Sequence, residues 1–138
     1  EFGHLWEYPL RSVCTISTHD MATLRGWWEE DPALTARYYN QVLGQWGEVP
    51  TTAPGWACEE IVRQHLQSPS LLCILAFQDW LSMDEDLRYP DANAERINVP
   101  ANPRHYWRYR MHLTLEDLMR NKAFNKKMIE MIEETNRY

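Results

Sequence analysis

With 138 residues, 44% hydrophobic and 25% charged, the chain is long enough for one domain or part of one and has an ordinary globular composition. A formal charge of −6 argues against a polyanion-binding surface, so nucleic acid is not expected as a partner. No apolar run approaches the ~20 residues of a membrane span and the first residues lack the zones of a signal peptide, so no membrane association is expected.

The chain opens on EFGHLWEY, with no Met and no obvious start of a fold, which suggests a piece of something longer. Glu1 to Arg11 reads as a loop ending near the breaker Pro9. The β-branched run Ser12 to Ile16 predicts a strand, and the polar cluster Ser17-Thr18-His19-Asp20 lies at its C-terminal end. Met21 to Glu29 predicts a helix, with Thr18 or Asp20 as its cap. Asp31-Pro32 opens a second helix, on which Leu34, Tyr38, Val42 and Trp46 form one apolar stripe. A third helix is predicted over Trp56 to Gln67, with His65 packed rather than catalytic.

Ser68-Pro69-Ser70 is a turn, and Leu71 to Phe77 (LLCILAF) reads as a strand buried on both faces, as in a parallel sheet. The two strands lie about 55 residues apart with helices between them, which requires a parallel crossover. Gln78-Asp79 again places polar residues at a strand's C-terminal end, and Trp80 to Met83 reads as one helical turn. Asp84 to Arg104 is a long loop, a length that usually carries function. Thr114 and Asp117 resemble a capping box, and the last helix, Asn121 to Asn136, turns Phe124, Met128, Met131 and Ile132 inward.

Seven tryptophans and seven tyrosines suit either helix-packing core or sugar-stacking platforms. Cys14, Cys58 and Cys73 are odd in number and lack metal-ligand spacing, so structural zinc is not expected. Buried free thiols in a reducing compartment, hence a cytoplasmic protein, fit this usage.

Two stretches carry a family resemblance. STHDMATLRGWW, from Ser17 to Trp28, resembles the His-Asp segment of the 4-alpha-glucanotransferases, also called amylomaltases or disproportionating enzymes. Phe77 to Met111 resembles the same family nearer its C-terminus, through Gln-Asp-x-Leu, Arg-x-Asn-x-Pro and Trp-x-x-Arg patterns. The matches occur in family order and spacing and, with the connecting helices, cover nearly the whole chain. The resemblance implies an α/β fold, the C-terminal portion of a (β/α)8 TIM barrel. As a fragment it would be mostly helical with about two short parallel strands, residues 1–138 forming a partial domain.

It also implies transfer of α-1,4-glucan segments by a retaining mechanism, which needs a nucleophile and an acid/base. Those two carboxyls are expected upstream, in the missing N-terminal part of the same chain, so the fragment alone is expected to be inactive. Asp20 matches the third carboxylate, which stabilises the transition state, and His19 its sugar-binding neighbour. Asn98 and Arg96 match a loop beside the acceptor, and Gln78 and Asp79 match a pair at the mouth of the last strand, where they either touch sugar or, more in keeping with the match, buttress the site; all four are candidate substrate-binding residues. Trp107, Arg108 and Arg110 match a segment expected to be structural. No metal or organic cofactor is implied. The alternatives are a non-catalytic carbohydrate-binding module and a helical interaction module.

Overall fold

The computed structural model describes residues 2–137; Glu1, the head of the expected opening loop, and Tyr138 lie outside the described residues. Val13–Cys14 (β1) and Leu72–Cys73 (β2) pair in parallel, Val13 opposite Leu72 and Cys14 opposite Cys73. Backbone bonds from Leu71 N to Leu10 O (2.8 Å) and from Ile74 N to Cys14 O (2.9 Å) lengthen the ladder at both ends. Three helices fill the crossover: α1 (Leu24–Glu30), α2 (Pro32–Gln41) and α3 (Gly55–Leu66). The expected parallel crossover is therefore present, but the strand at 71–77 is not buried on both faces. Val13, Leu72 and Ile74 are each more than half exposed, whereas Cys14 is fully buried. Helices pack on one side of the ladder, and among the described residues nothing covers the other. The end of the apolar run is helical instead: Phe77 begins α4 (Phe77–Leu81).

Local chemistry explains the helix boundaries. Thr23, not Thr18 or Asp20, caps α1, its hydroxyl accepting from the Gly26 N–H. Met21 and Ala22 consequently remain in the loop. Asp31 caps α2 as its Asp-Pro signal predicts, accepting from the N–H groups of Ala33 and Leu34 at 3.0 Å each. The buried face of α2 is one position away from the expected stripe. Thr35, Tyr39 and Leu43 are buried, Leu34, Tyr38 and Val42 are half-buried, and Trp46 is 82% exposed. Two contacts set this rotation: the Thr35 hydroxyl donates to Trp28 O (2.7 Å), and the Tyr39 ring meets Trp28 edge-on. The helix ends at Gln41 and the chain turns at Gly44, whose φ of 64° is left-handed, so helical spacing no longer applies at Trp46.

α3 is the centre of the core, burying Ala57, Cys58, Ile61, Val62 and Leu66. His65 is a packed histidine: burial holds its imidazole below the ordinary value, and Nδ1 lies 2.7 Å from Ile61 O. Helices α5 (Leu115–Arg120) and α6 (Lys122–Glu134) follow the long loop. The Thr114–Asp117 capping box is complete, with both reciprocal bonds made. Phe124 and Met131 of α6 are buried and join the α3 core, and Lys127 Nζ lies 2.8 Å from a Glu59 oxygen of α3. The chain's last described residue fastens the turn after α3. The Arg137 guanidinium donates to the carbonyls of Leu66, Ser68 (2.5 Å) and Ser70 (3.0 Å), satisfying acceptors left open at the helix end. Among the described residues no helix is long and apolar enough to cross a membrane.

Candidate functional site

β1 delivers residues 15–23 to one end of the sheet, where they turn back toward α1. The turn is tight: the Met21 N–H donates to Thr18 O at 3.1 Å, which lifts His19 and Asp20 to the surface. Their side chains are about half exposed, 54% and 51%, and His19 Nε2 lies 3.4 Å from Asp20 Oδ2. The other carboxylate oxygen, Oδ1, accepts from the Asn98 amide at 2.7 Å. Asn98 is 78 residues further along the chain, yet its backbone N–H also donates to His19 O at 3.0 Å. Arg96 holds this loop in shape by donating from Nε to Asn98 O (3.0 Å), and His105 Nε2 lies 2.9 Å from Ile97 O. The Trp107 indole closes the group against the His19 imidazole, with ring centroids 5.1 Å apart and planes tilted by 41°. The Asp20 side is continuous with a cleft of about 450 Å³ lined by Ile16, Leu24, Trp27, Ile61 and Arg96 among others.

Gln78 and Asp79 sit beneath this surface, not on it. Both belong to the first turn of α4, and their exposures are 6% and 0%. Asp79 holds both ends of the His19–Asp20 loop. Its Oδ2 accepts from the Ser17 hydroxyl (2.5 Å) and its Oδ1 from the Leu24 N–H (2.9 Å), an orphan donor at the start of α1. Burial pushes the Asp79 carboxyl above its ordinary value, against the pull of the Leu24 and Ser17 donors.

A second buried cluster ties the long loop to α1. Glu95, 1% exposed, accepts from Arg25 (2.5 Å) and from the Thr23 hydroxyl (3.1 Å), and Arg25 also donates to Tyr89 O (2.6 Å). Gln78 reaches the Glu95 carbonyl at 3.3 Å. Burial raises the Glu95 carboxyl, opposed by Arg25 and Thr23. Thr23, Arg25 and Glu95 are not marked by any signal in the sequence, and Ser17 stands out only as part of the polar cluster after the first strand. A buried ion pair between residues 70 apart leaves no local periodicity to detect.

The surface cluster is a carboxylate held in one orientation by an amide and an imidazole, facing solvent. Such a group accepts hydroxyl protons or stabilises positive charge developing opposite it. Retaining glycoside chemistry additionally needs two carboxyls about 5–5.5 Å apart. The cluster brings one carboxylate, not a pair, into its hydrogen bonds. Among the described residues there is no group of three His, Cys, Asp or Glu side chains able to hold a metal ion.

The 4-alpha-glucanotransferase family model matches residues 1–115. The chain belongs to that family. It is 38% identical over 137 residues to a 4-alpha-glucanotransferase of Oryza sativa subsp. japonica, covering 99% of this chain and 14% of that protein. It is 31% identical over 125 residues to the 4-alpha-glucanotransferase of Chlamydia pneumoniae, covering 90% of this chain and 23% of that one. The chain thus spans between a seventh and a quarter of these family members' length. Among solved structures, the amylomaltase of Streptococcus agalactiae in complex with acarbose superposes with a TM-score of 0.67 at 22% identity. The superposition covers 94% of this chain and 23% of that one, and it establishes a shared fold. Helices with two short parallel strands, the elements expected from the resemblance, are what this member of the 4-alpha-glucanotransferase family has, although helix makes up less than half of the described residues.

Proposed function

We propose that this chain is the C-terminal portion of the (β/α)8 catalytic barrel of a 4-alpha-glucanotransferase. In this reading the complete protein moves an α-1,4-glucan segment between maltooligosaccharides or glucans by retaining double displacement. The observation that carries it is the junction of Asp20, His19 and Asn98. Two stretches far apart in sequence, each resembling the family, meet through bonds of 2.7 and 3.0 Å around one exposed carboxylate.

Asp20 stabilises the oxocarbenium-like transition state by gripping sugar hydroxyls of the distorted ring. His19 hydrogen-bonds the same ring, Asn98 fixes Asp20 and reaches the acceptor, and Arg96 sets the Asn98 loop. Gln78 and Asp79 serve the substrate through the loop they support. The nucleophile and the acid/base come from other strands of the barrel, which the apolar, uncovered face of β1 and β2 would pack against. Three free cysteines, two of them buried, fit a reducing, cytoplasmic setting.

The test is to express the complete reading frame and follow glucose and longer oligosaccharides formed from maltotriose. Transfer that falls by at least about a hundredfold in Asp20→Asn, with the fold retained, is the expected result. The 138-residue chain alone is expected to show no transfer. Binding of maltooligosaccharide without transfer by the complete protein would instead support a carbohydrate-binding module.

A further inference from the structure

We propose that the exposed indole of Trp107 is a stacking platform for a glucose ring, working beside Asp20, His19 and Asn98. The ligand class rests on the glucan-transfer reading; the platform itself rests on geometry. A pyranose is amphipathic: its hydroxyls radiate from the rim, while its C–H faces are apolar. A site for it therefore pairs directional polar groups with a flat aromatic surface.

Both halves meet here. The polar half is the Asp20 carboxylate, the Asn98 amide and the His19 imidazole, all at the surface within one hydrogen-bonded group. The flat half is the Trp107 ring, 58% exposed although indole is the largest apolar side chain. Its orientation is not left to solvent, because the tilted contact with His19 at 5.1 Å fixes the two rings against each other. The neighbouring Tyr106 ring is engaged separately, with the Arg108 guanidinium 4.9 Å from its centre. Other exposed tryptophans lack this company. Trp6 stacks on His4 in the opening segment, Trp46 follows the turn at Gly44, and Trp56 meets the Tyr39 ring from α3. None of the three lies on the stretches that carry Asp20 and Asn98.

A packing role and a stacking role separate by substitution. Trp107→Leu keeps apolar bulk against His19 and removes the aromatic face, whereas Trp107→Phe keeps a face. Both variants are made in the protein expressed from its complete reading frame. Maltoheptaose affinity is measured by calorimetry, maltotriose kinetics by glucose release, and the fold by thermal melting. Trp107→Leu is expected to raise Kd and KM about tenfold with kcat changed by less than about threefold, and Trp107→Phe to raise them by less than about threefold. Wild-type affinity in Trp107→Leu overturns the platform, and so does an equal loss in both variants accompanied by a lowered Tm. The two readings fail separately. A wild type that binds maltoheptaose through Trp107 without transferring leaves the platform and removes the transferase. Unchanged transfer and binding in Trp107→Leu removes the platform and leaves the transferase. A wild type that neither binds nor transfers removes both.

Discussion

Replacing Asp79 tests whether the His19–Asp20 loop is held from below. In Asp79→Ala the Leu24 N–H and the Ser17 hydroxyl lose their acceptor, and Leu24 and Ser17 are only 4% and 5% exposed. An unsatisfied buried donor costs about 1–3 kcal/mol. The two donors together therefore cost about 4 kcal/mol. Relief from burying a carboxylate, whose pKa burial already raises, returns a smaller part of this. A net loss of about 3 kcal/mol is expected. With a urea m-value of about 2 kcal/mol per molar, the unfolding midpoint should fall by about 1.5 M. Asp79→Asn behaves differently. Its side-chain oxygen takes the Leu24 N–H, and its amino group donates to a Ser17 hydroxyl that rotates to accept, so the loss stays within about 1 kcal/mol. The assay is urea unfolding followed by tryptophan fluorescence, with the buried Trp28 as the main reporter. An Asp79→Ala midpoint within about 0.3 M of wild type refutes the reasoning, as does an Asp79→Asn loss as large as that of alanine.

Other expected outcomes concern the same supports. Arg25→Met leaves Glu95 buried without its cation and should cost about 3–5 kcal/mol, while Arg25→Met with Glu95→Leu should recover most of it. A denaturation double-mutant cycle checks this, and a single-variant cost below about 1 kcal/mol would contradict it. Gly55→Ala places a Cβ 2.8 Å from Met83 O and 3.2 Å from Glu85 Cγ at the start of α3. The clash should outweigh the helix propensity gained and lower stability by about 1–2 kcal/mol, read as a lower Tm. The pH dependence has a definite sign. Asp79 is raised by burial, so the fold holds its proton more tightly than the unfolded chain does. Its favourable contribution is complete below the ordinary carboxylate value of about 4 and is lost as pH rises through the raised folded value. Wild type should therefore lose stability relative to Asp79→Asn as pH rises above about 4, and a difference that grows the other way would be inconsistent.

What the sequence disclosed depended on how local the signal was. Asp31-Pro32 and Thr114-x-x-Asp117 are decided within four residues by cap chemistry, and both helices start where those signals put them. The inward face of α6 was legible because thirteen helical residues present one consistent period. The run at 71–77 was ambiguous for a physical reason. A continuous apolar stretch has no period, so it could not reveal that two residues pair as strand and that helix begins at Phe77. The stripe on α2 missed by one position because the rotation of that helix is set by Trp28, on another element. At the site, Asp20, His19 and Asn98 are brought together as the two resembling stretches suggest. Asp79 and Gln78 looked like mouth residues because they follow an apolar run, but the early start of α4 turns them inward. Trp107 lies on a segment for which the family resemblance implies a structural role, and aromatics among arginines give no cue to its exposure.

The bond from the Asn98 N–H to His19 O also sets an order of events. It closes a loop of about 80 residues, and bringing its ends together costs about 4 kcal/mol of chain entropy on a flexible-loop scale. That cost falls only after the intervening helices have docked and shortened the span. The surface that presents Asp20 is therefore completed late in folding and is among the first parts to open. Amide exchange at Asn98 should be faster than at the α3 core, and mild denaturant should dismantle the Asp20 junction while α3 and α6 remain packed.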